Sequence, residues 1–541
     1  MSIHIPSLPP IADNERTPLV EALLGVITMQ QEQLTRQAEQ IALQQEEIRG
    51  LKDEIARLKG HKPKPQIRPS RLEQHQKTSV SQRGTTKRSK LGTIEIHETI
   101  KVAPKQEVPK GSRFKGYADF TVVGLRFESH NIRYRLEVWE TPDGRRLHGE
   151  LPASQQALGG HFSPELVSFI RHQHHHALVP QGLIWEQLCD IGVPVSQGQV
   201  SRMLVEVSDA FHEEKEGLLK VGLAVSSHIH VDDTGARHAG KNGICTHIGN
   251  EWFAYFASTE SKSRINFLKL LRAGGTSYVL GDEAYAYMRE HKLPKEVMQR
   301  LMAEVGSRTF CDEAGFEKML RDLHISNERH VRIVTEGSLL GSVVSQGIHP
   351  QLCIISDDAG QFNVLLHALC WIHAERTLAK LIGFSDEQRQ ALEVRRTEVW
   401  EYYRALKTYK AAPSEQAKAA LAVRFDEIFT SPTCFMSLNK ALERLYKNKR
   451  ELLLVLERPD LDLHNNESEN DVREYVMRRK RSGSTRSDLG RQCRDTFASL
   501  KKTCRKLGIS FWRYLFDRCS GSHTVAFLPD LVRQHALESS S

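Results

Sequence analysis

The sequence predicts a multidomain α+β protein, with a coiled coil ahead of an α/β core that carries a helical insertion. Three observations predict it. Apolar residues recur every seven positions near the start of the chain. Between 226 and 258 three short runs, SSHIHVDD, GICTHIG and EWFAYFAST, are set off by turn residues and read as strands. Residues 386–458, and the chain after Glu469, are charge-rich with helical spacing.

Composition narrows the class. The chain has 541 residues, room for several domains, and 39% are apolar. No apolar run approaches the roughly 18 residues of a membrane span, and the first residues lack the basic start and apolar core of a secretory signal. Nine cysteines are scattered with no CxxC pair. That pattern argues against a zinc ribbon or a disulfide framework and fits a reducing cytoplasm. The formal charge of +8 is unevenly spread: residues 59–90 hold ten Lys or Arg against one acid, Glu73. A second basic run follows Glu469. Such clusters suit a polyanion such as DNA, or equally a solvated linker and helix face.

In chain order, the heptads Val20, Ile27, Leu34, Ile41, Ile48 and Ile55, with Leu51 and Leu58 as companions, predict a coiled coil over 19–59 and hence self-association. Gln30, Gln37 and Gln44 weaken the middle of its seam. Residues 60–112 read as a basic flexible linker. Residues 113–155 read as a small β unit, because Val122, Val123, Leu125 and Phe127, then Ile132, Tyr134, Leu136 and Val138, lie in alternating runs before the turn Pro142-Asp143-Gly144. Residues 160–215 read as helices. The break at Gly192-Val193-Pro194 precedes a helix capped by Ser196 and carrying Gln199, Ser201 and Arg202, the layout of a helix-turn-helix or of a plain helical hairpin. His172, His174, His175 and His176 read as an exposed helix face without metal, since no Cys or acid stands at ligand spacing. Residues 225–385 and 459–516 form the expected core, with a helix over 262–272 and buried strands at 277–281 and 352–356. The 386–458 segment interrupts that core, and 517–541 is left as a C-terminal tail.

Three acids stand where strands or a helix would present them. Asp232 follows the strand HIHV, Asp357 follows the strand LCIIS, and Glu469 begins a helix in HNNESENDVR. Acids at strand ends are often caps or turn residues. Three that converge make a hard-oxygen site suited to Mg²⁺ or Mn²⁺, and two such ions can bracket a phosphodiester. Cys370 and His373 alone make neither a zinc site nor an activated thiol.

The motifs resemble one family. Asp232-Asp233-Thr234-Gly235 is similar to its Asp-Glu-Thr-Gly. Ser356-Asp357 followed by Cys370-Trp371-Ile372-His373-Ala374-Glu375-Arg376 is similar to its second Asp and Cys-Trp-x-His-x-x-Arg helix. Asn465-Asn466-Glu467-Ser468-Glu469 with Arg473 is similar to its Asn-Asn-x-x-Glu-x-x-x-Arg. The stretch from Thr503 to Ile509, with Tyr514-Leu515, is similar to its C-terminal helix. The chain thus resembles a DDE transposase of the insertion-sequence 66 family over about 163–516.

That resemblance implies a ribonuclease-H-like core, Asp232, Asp357 and Glu469 as catalytic metal ligands for Mg²⁺ (or Mn²⁺), two ions, and double-stranded DNA as partner. It also implies possible helper proteins of the same element. Asp233 stands for the family's Glu. Gly281-Asp282-Glu283-Ala284-Tyr285-Ala286-Tyr287 resembles a further family motif, so Asp282 is the alternative second acid, and with Asp357 chosen the residues 283–350 become an insertion. Arg473, Arg478, Arg479, Lys480, Arg481 and Arg486, with Arg202, are the expected DNA-phosphate contacts. The family's frequent cysteine pairs are missing, so no zinc is expected. Two rival functions use the same residues: a non-catalytic coiled-coil DNA-binding protein, and a metal-dependent nuclease that cuts without joining.

Overall fold

The computed structural model describes residues 96–540, apart from 105, 107–108, 124 and 157–159, together with scattered residues between 17 and 44. The chain falls into two units divided after Phe127. In the first, the described residues between 18 and 44 are helical, among them Val20, Ile27 and Leu34. Thr17 caps that helix by accepting from Val20 N at 3.3 Å. The heptad residues Ile41, Ile48, Leu51, Ile55 and Leu58, and the basic run 59–90, lie outside the described residues. Residues 96–127 contain no helix or strand among those described. Val122, Val123 and Leu125, expected in a strand, are exposed.

The second unit opens with a hairpin, β1 (Val138–Glu140) and β2 (Arg146–His148). Among the described residues, strand pairing in the expected β unit is confined to this hairpin. Its residues are exposed on both faces, so no apolar surface is covered that could hold further strands in register. Three helices follow: α1 (Pro164–His175), α2 (Gln181–Asp190) and α3 (Gln197–Val205). A capping box between Ser196 and Gln199 starts α3. Buried Arg171 of α1 donates to Met203 O and Glu206 O, both at 2.9 Å, which ties off the far end of α3. Helix α4 (Asp209–Val225) leads into the sheet.

The sheet has five strands, β3 (His228–His238), β4 (Lys241–Gly249), β5 (Ala254–Thr259), β8 (Cys353–Ser356) and β9 (Leu366–Leu369), in the order β5-β4-β3-β8-β9. The first three are antiparallel; β3, β8 and β9 are parallel. The β3–β4 turn places Ala239 at φ 46° and Gly240 at φ 79°, the two positive values that a two-residue turn between right-twisted strands requires. The chain from β5 to β8 runs through α5 (Arg264–Leu271), a small separate sheet of β6 (Tyr278–Leu280) and β7 (Arg308–Phe310), and α6 (Asp282–Glu290), α7 (Lys295–Glu304), α8 (Glu313–Asp322) and α9 (Glu328–Ser345).

After β9 come α10 (Trp371–Ala379) and the helical insertion, α11 (Asp386–Ala411), α12 (Glu415–Thr430) and α13 (Met436–Lys447). Trp371 joins these helices in a core of their own, and its Nε1 donates to Leu452 O at 3.0 Å. Helices α14 (Asn466–Ser482) and α15 (Asp488–Lys506) return to the sheet, where Val472 and Tyr475 pack on Ala236, Cys245 and Phe256. Helix α15 also closes the edge strand. Thr503 Oγ1, Ser499 Oγ and Asp495 Oδ2 accept from Ala254 N, Phe256 N and Ser258 N at 3.1, 2.9 and 2.8 Å. Steps of four residues on a helix and of two on a strand cover about the same length, roughly 6–7 Å, so one helix face satisfies alternate strand amides.

The expected tail is ordered. Helix α16 (Phe511–Ser520) is followed by α17 (Leu528–Ser540), whose spacing of Leu528, Val532 and Ala536 gives a buried stripe against α4.

Candidate functional site

Strand β3 sets the site. Its side chains alternate, so His230 and Asp232 share one face. Helix α14 docks on that face through two buried links. Asn465, just ahead of the helix, pairs Oδ1 with His230 Nδ1 at 3.0 Å and donates from Nδ2 to Val231 O at 2.8 Å. On β4, His247 sits opposite Asp232 and bonds Ser468 Oγ at 2.7 Å and Asp471 Oδ2 at 3.1 Å. These links bring Glu469, in the first turn of α14, over Asp232. Strand β8 lies parallel beside the start of β3, and Asp357 leaves its C-terminal end.

The acids feel one another. Burial first, and the charges of Asp357, Asp233 and Glu469 after it, push the Asp232 carboxyl up to about 6. Its neighbours have separate tasks. Asp233 accepts from Thr246 Oγ1 at 2.6 Å and Gln361 Nε2 at 2.8 Å, and burial raises it too. Asp358 is turned to the insertion, where Arg444 and Asn448 hold it. The Asp357 carboxylate accepts from the near backbone, Ala359 N at 3.1 Å. Glu469 is met by Arg376, with Nη1–Oε1 at 3.1 Å and Nη2–Oε2 at 3.4 Å, and by His373 Nε2 at 3.7 Å. Arg376 and His373 come from α10, and Cys370 starts that helix while its Sγ accepts from Asn465 N at 3.2 Å.

The donor set fits a hard divalent cation. Burial is the main reason Asp232 resists ionisation, and the charges of Asp357, Asp233 and Glu469 add to it. Among the described residues the oxygens of Asp232, Asp357 and Glu469 do not gather within 4.8 Å of one another; as carboxylates they are the donor type of a hard cation. Asp282 opens α6 after β6, which among the described residues pairs with β7 in a sheet separate from that of β3 and β8.

The expected phosphate contacts divide. Arg473, Lys480, Arg481, Arg486 and Arg202 are exposed. Arg479 is half-buried and donates to Gly235 O; a Cβ at position 235 would lie 2.8 Å from its Nη1 and would push that guanidinium aside. Arg478 is a correction. Position 478 falls on the buried face of α14, so its guanidinium turns inward, donates to His175 Nδ1 at 3.1 Å and is lowered to about 10 by burial.

The histidines of α1 are a second correction, because this helix packs on α15 and α16 instead of facing solvent. His175 is buried and stacks on Phe497 at 4.0 Å between centroids, and His172 stacks on His176 at 4.5 Å.

Sequence reading passed over Gln361, Thr246 and Asn465 as partners of the site, and gave Arg376 no task. Only Arg376 and Asn465 stood in a quoted motif, and position within a motif does not say which carboxylate a side chain meets.

Among the described residues no helix is long and apolar enough to cross a membrane. A family model described as "Transposase IS66 family" matches residues 353–492, a span that takes in Asp357 and Glu469 but not Asp232. The uncharacterized protein y4jO of Sinorhizobium fredii (strain NBRC 101917 / NGR234) is 45% identical over 322 residues, which is 59% of this chain and 100% of that relative.

Proposed function

The chain belongs to the IS66 family of transposases, and from that premise we propose that it cuts DNA at the ends of a mobile element and joins the freed 3′-hydroxyl to target DNA. Asp232, Asp357 and Glu469 would hold Mg²⁺, or Mn²⁺, two ions in all. The observation that supports this reading is that the two neighbouring strands and the helix docked on them supply three carboxylates, and that the charges of Asp357 and Glu469 add to burial in raising Asp232 to about 6. Such ions, when bound, activate an attacking oxygen and stabilise a leaving one.

The sheet supports a ribonuclease-H-like core: five strands in the chain order 3-2-1-4-5, with the second antiparallel to its neighbours. The atoms balance. Hydrolysis breaks one P–O bond at the element end and leaves a 3′-hydroxyl. That hydroxyl then attacks a target phosphodiester, forming one P–O bond as another breaks, so no energy source is consumed.

Around the acids, Arg376 and His373 fix the carboxylate of Glu469, and Thr246 and Gln361 hold Asp233 aside. Exposed Arg473, Lys480, Arg481 and Arg486 would meet phosphates, and α3 with Arg202 would enter a groove. Self-association through 19–59, helper proteins of the same element and action on DNA in the cytoplasm complete the proposal.

A strand-transfer assay with Mg²⁺ and DNA carrying the element ends tests it. Wild type joins ends, while Glu469→Gln, which keeps the shape and removes the charge, does not. Full activity of Glu469→Gln would overturn the acid assignment. Binding without cleavage under any divalent ion would favour the DNA-binding rival, and cleavage without joining the nuclease. Asp357→Asn and Asp282→Asn, assayed side by side, separate the two candidates for the second acid.

A further inference from the structure

We propose that His228, His230 and Asp462 form a second metal site, for a borderline divalent ion of the zinc class, which clamps the start of β3 to the loop that enters α14. One ligand atom from each of the three lies within 4.8 Å of the others. His228 and His230 stand two apart on β3 and so share a face. Asp462 arrives from the far side of the helical insertion.

The hydrogen bonds give the site a polarity. Asn465 Nδ2 donates to Val231 O at 2.8 Å, so Asn465 presents its Oδ1 to His230 Nδ1 at 3.0 Å. An amide oxygen only accepts, so Nδ1 carries the proton and donates. The lone pair of a neutral His230 is then on Nε2, and Nε2 faces Asp462 Oδ2 at 3.5 Å. With His230 neutral, two acceptors confront each other across that gap; with both ring nitrogens protonated, the same pair is an ion pair. A tetrahedral ion with bonds of about 2.0–2.2 Å separates its ligands by roughly 3.3–3.5 Å, so the gap fits a shared cation. A ligating imidazole ordinarily donates its other N–H to an oxygen, the part Asn465 plays here.

The remaining atoms are compatible. His228 Nδ1 is taken by Ser227 Oγ at 3.1 Å, which leaves Nε2. Lys410 Nζ stands 3.5 Å from Asp462 Oδ1, the oxygen turned away from His230. A cavity of about 390 Å³ lined by Tyr403, Lys410, Asp462 and His464 gives water access to Asp462. Two imidazoles and a carboxylate favour zinc-like ions over Mg²⁺, so the donor set differs from that of the three acids.

The sequence concealed the site. Its expectation of no zinc rested on cysteine spacing, and nothing along the chain registers a His-x-His on one strand with an Asp beyond two insertions.

Full-length protein is stripped with chelator, supplied with Zn²⁺ in the presence of excess Mg²⁺, dialysed and analysed for metal. A parallel sample with Co²⁺ is read for the visible absorption of a tetrahedral ion. Wild type is expected to retain about one Zn²⁺ at this site, and His228→Gln and Asp462→Asn each to weaken binding about tenfold or more. Asp232→Asn should retain it. Retention of zinc by both His228→Gln and Asp462→Asn overturns the proposal, as does its loss in Asp232→Asn. Failure of wild type to bind also overturns it, leaving His230 and Asp462 as a plain ion pair. The two variants come from different elements, so misfolding of one, seen by circular dichroism, leaves the other to decide.

Discussion

At the scale of single residues, the histidines of α1 make the fold sensitive to acid. Burial lowers His172 to about 4 and His174 to about 3, and holds His175 well below the usual 6.5. His175 must also stay neutral to accept from Arg478. The unfolded chain takes up protons near 6.5 and the folded one does not, so stability present above that pH is lost as pH falls towards 4. Thermal melts at pH 7 and pH 5 should show a lower midpoint at pH 5, with a smaller drop in His172→Gln. Equal midpoints in wild type would show these side chains to be solvated.

Here sequence reading was least complete. Four histidines on one helix look like a solvated face until α15 and α16, more than 300 residues later, are laid against it. Each of the three acids draws notice in the sequence because it stands at the end of a strand-like run or the start of a helical one. There Asp357 is preferred to Asp282 because the Cys-Trp-x-His stretch follows it; among the described residues the strand before Asp357 lies beside β3 and the strand before Asp282 does not.

Elements show the same divide. Helix α14 has one face on the sheet and one in solvent, and the basic run crosses both. Lys480→Ala should weaken binding to all DNA sequences alike and flatten the salt dependence by about one unit of slope, measured by fluorescence anisotropy at several salt concentrations. Arg478→Ala should instead lower the melting temperature. Helix α15 is bound to strand β5 through side chains that a hydrophobicity pattern cannot reveal. Ser499→Ala leaves the buried Phe256 N–H without its acceptor and should cost about 1–3 kcal/mol, read by denaturant unfolding. An unchanged midpoint would mean that the strand edge finds another partner. Strand β9 went unread because LHAL is too short and too uniformly apolar to show a period. The tail helix α17 was hidden for a related reason: its stripe is legible only once α4 is there to receive it.

For the whole molecule, the helical character of 386–458 was readable from charge and period, while the way two insertions fold back onto one sheet was not. The heptads at 19–59 carry the proposed self-association. Removing residues 1–59 should reduce the particle to a single chain by light scattering, and an unchanged mass would move the contact into the remaining unit. The docking of α14 has a different consequence, for the time at which the site comes into being. The two links that seat Glu469 join β3 and β4 to residues more than two hundred positions downstream. A polypeptide still emerging from the ribosome, or cut short before that helix, holds at most two of the three acids. Under the proposed chemistry, the power to break DNA arrives only once α14 has been made, and copies cut short before it are harmless to the genome that encodes them.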